Sequence, residues 1–381
     1  MNICIVNDSF QMGGVQKVVI ELANSLQKRG HNISLIDFSG RNIFFYHVNE
    51  NINKPKVIRP RSIKRKIISK IVFLINDLIN LDNKVSILYR EQINDLIQYL
   101  NENNFDVIIM NQGVLTAVIP FIKEAIPQIK VVAWQHNDYD IYINRYYKKI
   151  IRDYLTGANQ ADLIVCLTEV EQKKYKQLNR NTTYIYNPLT ISNKNKLVST
   201  LTEKIIVFVG RLIMETKGLD YLIKIAQKLE DGWKIVVAGD GPDKEKFSKM
   251  IKNNNLEDKI ILKGKLENEQ LTKLYLSGSI FISTSRWEGF GLVITEAMNF
   301  GLPVVSFDNT GPREILKNGE FGILVEKNNI EQFINNLLIL TSNIEKRKKL
   351  QQKSLERVRD FNIEYISSKW ESALERLVNG S

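Results

Sequence analysis

Short apolar runs of strand type recur along the whole chain, each followed by a loop or a helix-period segment. The first covers residues 3–6. Its loop closes on Gly13-Gly14, and 15–28 then sets Val15, Val18, Val19, Leu22, Ala23 and Leu26 on one helical face. Gly30 stops that helix, and 33–38 is the next run. Apolar runs without polar alternation are strands covered on both faces, and strand–helix–strand repetition builds a parallel sheet between helices. Runs at 107–110, 130–134, 163–167 and 183–186 extend the series. Between them the periodicity predicts helices over 62–80, 85–100, 113–125 and 141–155, with 41–60 irregular.

Asn187-Pro188 breaks this rhythm, and a second α/β series starts at residue 205. Its strands are expected at 205–209, 234–238, 259–262, 280–282, 304–306 and 323–325. Its helices are expected over 218–229, 243–253, 268–276, 328–341 and 344–359. A chain of 381 residues is long for one core, so the reading is two α/β domains, 1–187 and 188–361. Residues 189–203, rich in Ser, Thr, Asn and Lys, read as the linker between them. A last helix over 362–378 carries Trp370 and is expected to pack back on the first domain.

With 44% hydrophobic and 25% charged residues the composition is that of a globular protein. No stretch reaches the ~18 uninterrupted apolar residues of a membrane span. The start of the chain has no basic segment ahead of an apolar one, so no signal peptide is expected. Cys4 and Cys166 lie in apolar runs and read as buried free thiols of a reducing cytoplasm. The three histidines have no ligand-spaced partners, so no metal site is expected. A net charge of +11 suits a phosphate-bearing ligand or an anionic membrane. No nucleic-acid motif accompanies it, and nucleic acid is not expected as a partner. The first glycine loop is not Gly-x-Gly-x-x-Gly, so a nicotinamide cofactor is not indicated.

The chemistry-bearing residues lie where strands end. After 280–282 comes Arg286-Trp287-Glu288-Gly289-Phe290-Gly291-Leu292, then a helix holding Glu296 and closed by Gly301 and Pro303. Helix N-terminal amides and glycines there favour a phosphate. After 205–209 comes Gly210-Arg211-Leu212, then Lys217-Gly218, which offers two cations to an anionic leaving group. Gly239-Asp240-Gly241-Pro242 is a turn, with Asp240 structural. Lys263-Gly264-Lys265-Leu266 follows a further strand, and Gln135-His136-Asn137-Asp138 follows 130–134.

Together these residues resemble the Glu-x7-Glu and Gly-Arg-Leu…Lys-Gly signatures of retaining GT-B glycosyltransferases of the family 4 type. The loop from Arg211 to Lys217 is one residue longer than the family's usual spacing. The resemblance implies two Rossmann-like domains facing across a deep cleft, the second holding a nucleotide sugar and the first the acceptor. It implies that Glu296 binds ribose and that Glu288 and Phe290 meet the donor sugar. Gly291 and Leu292 amides, with Arg211 and Lys217, would hold the diphosphate. Gly13 and Gly14 would approach it from the first domain, and His136 would lie near the donor sugar. Gly210 and Lys265 frame the nucleotide, and Asn187 stands at the crossover. UDP is the expected nucleotide ahead of GDP, with no metal and no cofactor. A front-face mechanism fits, because no nucleophilic carboxylate stands out in the first domain. Asp138-Tyr139-Asp140 imitates a metal-binding Asp-x-Asp, which would instead suggest the single-domain architecture. The acceptor is a glycan or a lipid-linked glycan, in cell-surface polysaccharide or glycolipid synthesis. A GT-B epimerase, a phosphorylase or a non-catalytic partner subunit are the alternatives.

One segment suggests a location. Arg59 to Lys70 carries six basic residues and no acid, and Ile63, Ile67, Ile71 and Leu74 fall on one helical line, with Ile68, Val72 and Ile75 beside it. Such a segment either packs its apolar side into the core or lies on the inner face of the cell membrane.

Overall fold

The structure, a computed structural model, describes residues 1–78 and 82–380. Contacts divide the chain into two units, Met1–Pro188 with Ile363–Ser381, and Leu189–Asn362. Each is built on one parallel sheet of six strands.

In unit 1 the strands are β1 (Asn2–Asn7), β2 (Asn32–Asp37), β3 (Val107–Asn111), β4 (Lys130–Trp134), β5 (Leu163–Cys166) and β6 (Thr182–Tyr184). Their order is β2-β1-β3-β4-β5-β6. The chain therefore reverses direction across the sheet between β1 and β3, and an open α/β sheet takes its ligands at the carboxyl edge of such a point. β3 and β5 are buried at every position, because helices cover both faces. Cys4, Val6, Ile108, Met110, Val131 and Ala133 join one core cluster. Helix Gly14–Lys28 buries Val18, Val19, Leu22 and Leu26. The last helix, Ile363–Asn379, lies beside it: Ser367 Oγ donates to Ser25 Oγ at 2.8 Å, and Glu371 accepts from Arg29. The Trp370 ring meets Trp134 of β4 edge-on at 4.6 Å.

In unit 2 the strands are β7 (Ile205–Val209), β8 (Lys234–Ala238), β9 (Ile260–Gly264), β10 (Ile280–Ser283), β11 (Val304–Phe307) and β12 (Ile323–Val325). Their order, β12-β11-β10-β7-β8-β9, is the doubly wound arrangement with its reversal between β7 and β10. Those two strands are the ones that feed the Gly-Arg-Leu and Arg-Trp-Glu-Gly loops.

Three expectations need correction. Residues 189–203 are not a linker but part of unit 2. Leu201 is fully buried, Ser199 N donates to Phe300 O, and Asn193 Nδ2 donates to Asn299 O. The polar side chains that suggested a linker spend their hydrogen bonds on backbone groups of the unit. The helix expected over 113–125 is two, Gly113–Thr116 and Ile119–Ala125, because Pro120 cannot continue a helix and suits the first turn of a new one. The helix expected over 141–155 is broken into a π-turn Tyr142–Tyr146, a 3-10 turn Lys148–Ile150 and helix Ile151–Gln160. Four tyrosine rings, Tyr142, Tyr146, Tyr147 and Tyr154, pack on one another there. The helix expected over 62–80 is Ile63–Leu78, and Asn80 lies outside the described residues. One helix, Glu169–Tyr175, was not expected. Thr168 caps it by accepting from Glu171 N.

Candidate active site

In unit 2 the loop after β7 and the loop after β10 are bonded to each other. Arg286 N donates to Thr216 O, and Thr284 Oγ1 donates to Lys217 O at 2.8 Å. The Arg286 guanidinium donates to Met214 O, pairs with Asp220 at 2.6 Å and stacks on Tyr221. Arg286 is thus the brace that sets one loop against the other, a role its sequence position did not reveal. Gly218 ends the short helix Met214–Lys217 at φ 63°, and a Cβ there would lie 2.3 Å from Thr284 O. Both the backbone angle and the space require glycine.

This bracing carries Lys217 to Glu288. Lys217 Nζ donates to Glu288 Oε2, which also accepts from Ser285 Oγ at 3.2 Å. Each side chain is 18% exposed, so the pair is largely buried but still reached by solvent. Arg211, in the same loop as Lys217, is exposed, and its guanidinium has no partner among the described residues. Gly210 precedes it at the strand end, under the Lys217 side chain.

The helix Leu292–Asn299 starts from Gly291 at φ 103°, a left-handed conformation that glycine supplies. No side chain caps it, so its first N–H groups remain for an anion. The Phe290 ring is buried edge-on to Phe361, and its backbone packs against Gly311, where a Cβ would lie 2.1 Å from Phe290 O, so the ring itself is not presented to a donor sugar. Glu296 is 5% exposed. Its Oε1 accepts from Thr190 Oγ1 at 2.6 Å and its Oε2 from Tyr275 OH at 3.0 Å. Burial, then the carboxylate, pushes the Tyr275 phenol well up, so it stays a donor. Thr190 and Tyr275 were missed in the sequence because each is distant in the chain. Lys265, at the end of β9, is exposed and paired with Glu267. Asp240 braces the Arg211 loop, its carbonyl accepting from Leu212 N at 2.9 Å.

In unit 1, Gly13 and Gly14 open the helix after β1. His136 follows β4 and is buried. Burial pushes its imidazole down to about 3, so it is neutral at physiological pH. Asn111 Nδ2 donates to Val6 O, so Asn111 Oδ1, 3.2 Å from His136 Nε2, can only accept. The proton is therefore assigned to Nε2, and Nδ1, which has no partner, keeps its lone pair. Asn187 is buried, and its Oδ1 also lacks a partner. Asp138 is an N-cap that accepts from Asp140 N and Ile141 N. Lys174 lies 2.9 Å from Asp140 and 3.1 Å from the buried Glu171. Among the described residues no group of three or more His, Cys, Asp or Glu side chains could hold a metal ion.

Two doubly wound sheets, each with polar loops at its switch point, define a pair of Rossmann-like units. The family "Glycosyl transferases group 1" matches residues 190–357, and "Glycosyltransferase Family 4" matches 12–192. An uncharacterized glycosyltransferase of Haemophilus influenzae is 32% identical over 374 residues, covering 95% of this chain and 96% of that one. A Campylobacter jejuni protein, the GalNAc-alpha-(1->4)-GalNAc-alpha-(1->3)-diNAcBac-PP-undecaprenol alpha-1,4-N-acetyl-D-galactosaminyltransferase, is 22% identical over 100% of this chain and 99% of its own. Among solved structures, Anabaena HepE in complex with UDP-glucose superposes with a TM-score of 0.72 at 17% identity, covering 98% of this chain and 99% of that one. The chain belongs to the family 4, group 1 glycosyltransferases and has their GT-B fold.

Proposed function

We propose that this glycosyltransferase takes its sugar from a UDP-sugar, retains the anomeric configuration and adds it to a glycan or lipid-linked glycan. The observation that carries the reading is the Lys217–Glu288 pair beside Arg211 and the uncapped helix start at Gly291. A nucleoside diphosphate leaving group gains negative charge as the glycosidic bond breaks. Cations and amides fixed at that point stabilise the transition state more than the bound substrate. Arg211 closes on the diphosphate, Lys217 meets its β-phosphate, and Glu288 orients Lys217 while its second oxygen accepts from a sugar hydroxyl. Glu296, held by Thr190 and Tyr275, accepts from the ribose hydroxyls. In unit 1, the His136 Nδ1 lone pair accepts from a sugar hydroxyl. The positive charge comes from side chains, so no divalent ion is needed, and no cofactor. The likeness to HepE with its bound UDP-glucose supports UDP, and the name of the Campylobacter relative supports a lipid-linked acceptor.

Protection against thermal unfolding tests the donor, since a ligand of the folded state raises stability with its affinity. UDP and UDP-sugars should raise Tm and GDP-sugars should not; the reverse order replaces the donor. Proton NMR of the product's anomeric hydrogen should show the donor's configuration, and inversion would end the retaining reading.

A further inference from the structure

Helix Ile63–Leu78 is inside out. Ile63, Ile67, Ile68, Ile71, Leu74, Ile75 and Leu78 recur at helical spacing on one face and are all exposed, from 38% at Ile68 to 83% at Leu78. They are seven of the seventeen large hydrophobic side chains exposed among the described residues. The side turned to the protein carries Arg65, bonded to Glu91, and Ser69, which is buried. A helix that packed its apolar side into the core would show the opposite arrangement, so the core-packing alternative for this segment does not hold. Contiguous apolar patches of this kind mark interaction surfaces.

Charge selects the partner. Lys66 and Lys70 are exposed and flank the apolar stripe one turn apart, and no acid occurs between Arg59 and Asn76. The same two lysines, with Arg61, rim a groove of about 600 Å³ floored by Phe73, Leu74, Leu88 and Tyr89. Arg61 lies over the Tyr89 ring at 4.7 Å. The groove thus lies between helix Ile63–Leu78 and helix Val85–Glu102, which carries Leu88 and Tyr89. A second copy of the chain would bring its own basic side chains against these. An anionic lipid brings a phosphate for the rim and acyl chains for the floor.

We propose that helix Ile63–Leu78 lies in the surface of an anionic membrane, with a lipid phosphate held by Arg61, Lys66 and Lys70 at the mouth of the groove. This rests on the glycosyltransferase reading only for its consequence, that the acceptor arrives on a lipid.

Flotation of the full chain with phosphatidylglycerol–phosphatidylcholine vesicles, and with phosphatidylcholine alone, tests it. The protein should float with the anionic vesicles at low salt and detach as salt rises. Lys66→Ser with Lys70→Ser should weaken binding roughly thirtyfold. Ile67→Ser with Ile71→Ser should release the protein even at low salt. Both pairs lie in unit 1, so protection by UDP, which the proposed function assigns to unit 2, should be unchanged in both. Absence of flotation at low salt, or flotation untouched by either pair, overturns the proposal. So does a dimer in solution that Ile67→Ser with Ile71→Ser dissolves while vesicles bind nothing, since a second copy then covers the face. Loss of UDP protection in the wild type would instead end the donor reading and leave the membrane surface standing.

Discussion

Lys217 and Glu288 are 71 residues apart and form a salt bridge between the loops that leave β7 and β10. Those strands are neighbours at the reversal point of the sheet, so the fold itself brings the cation and the carboxylate together. Glu296, one helix further on, is held by different partners, Thr190 and Tyr275. The two acids therefore answer to different tests.

Glu288→Gln should lower kcat by roughly a hundredfold or more, since it loosens Lys217 where charge develops, and leave the Kd for UDP nearly unchanged. Glu296→Gln should weaken UDP binding and leave kcat at saturating donor much closer to the wild type. Steady-state kinetics with calorimetric Kd values decide, and identical behaviour of the two variants removes the division of roles.

Gly218→Ala should destabilise the protein by about 1–3 kcal/mol, because alanine resists φ 63° and its Cβ would meet Thr284 O. The variant should also bind UDP more weakly, as the shifted loop carries Lys217. A melting curve superimposable on the wild type would show that the loop has another conformation.

Activity should persist in EDTA if, as proposed, Arg211 and Lys217 provide the countercharge. Complete loss, restored by manganese or magnesium, would give the diphosphate to a metal ion.

Stability in mildly acidic solution should reflect two opposed groups of unit 1. His136 is pushed down to about 3, so between that value and its unfolded value of about 6.5 the unfolded chain binds the extra proton and stability rises with pH. Burial, then Asp138, pushes Glu171 up to about 7, so between about 4.5 and 7 the folded chain holds the extra proton and stability falls with pH. Relative to the wild type, His136→Gln should tilt the curve downward and Glu171→Gln upward between about pH 5 and 6.5, each by at most ~1.4 kcal/mol per pH unit. Chemical denaturation across that range measures both slopes; parallel curves would show that neither group titrates this way.

Strand positions and the two loops that meet at the reversal of the unit 2 sheet were legible because they depend on local signals: apolar runs, glycines and strand-end placement. The Lys217–Glu288 pair itself was not, since pairing between loops depends on strand order. Thr190 reads as a linker residue until Glu296 is seen to accept its hydroxyl proton. Helix Glu169–Tyr175 could have been found, because Thr168 and Glu171 have the spacing of a capping box. Its glutamate, however, accepts from Tyr139 N instead of completing the box. Helix Ile63–Leu78 had the right period, and only solvent exposure tells an apolar face turned outward from one turned inward.

The Trp134–Trp370 contact joins two segments of unit 1 that are translated on either side of unit 2. Unit 1 opens the chain and closes it, while residues 189–362 intervene. A ribosome needs roughly ten to thirty seconds for that intervening stretch. Through that interval the indole of Trp134 in β4, the strand that leads directly to His136, lacks its Trp370 partner, while the segment that forms unit 2 is already continuous. Unit 2 is therefore able to fold as one contiguous segment before unit 1 gains the helix that covers Trp134.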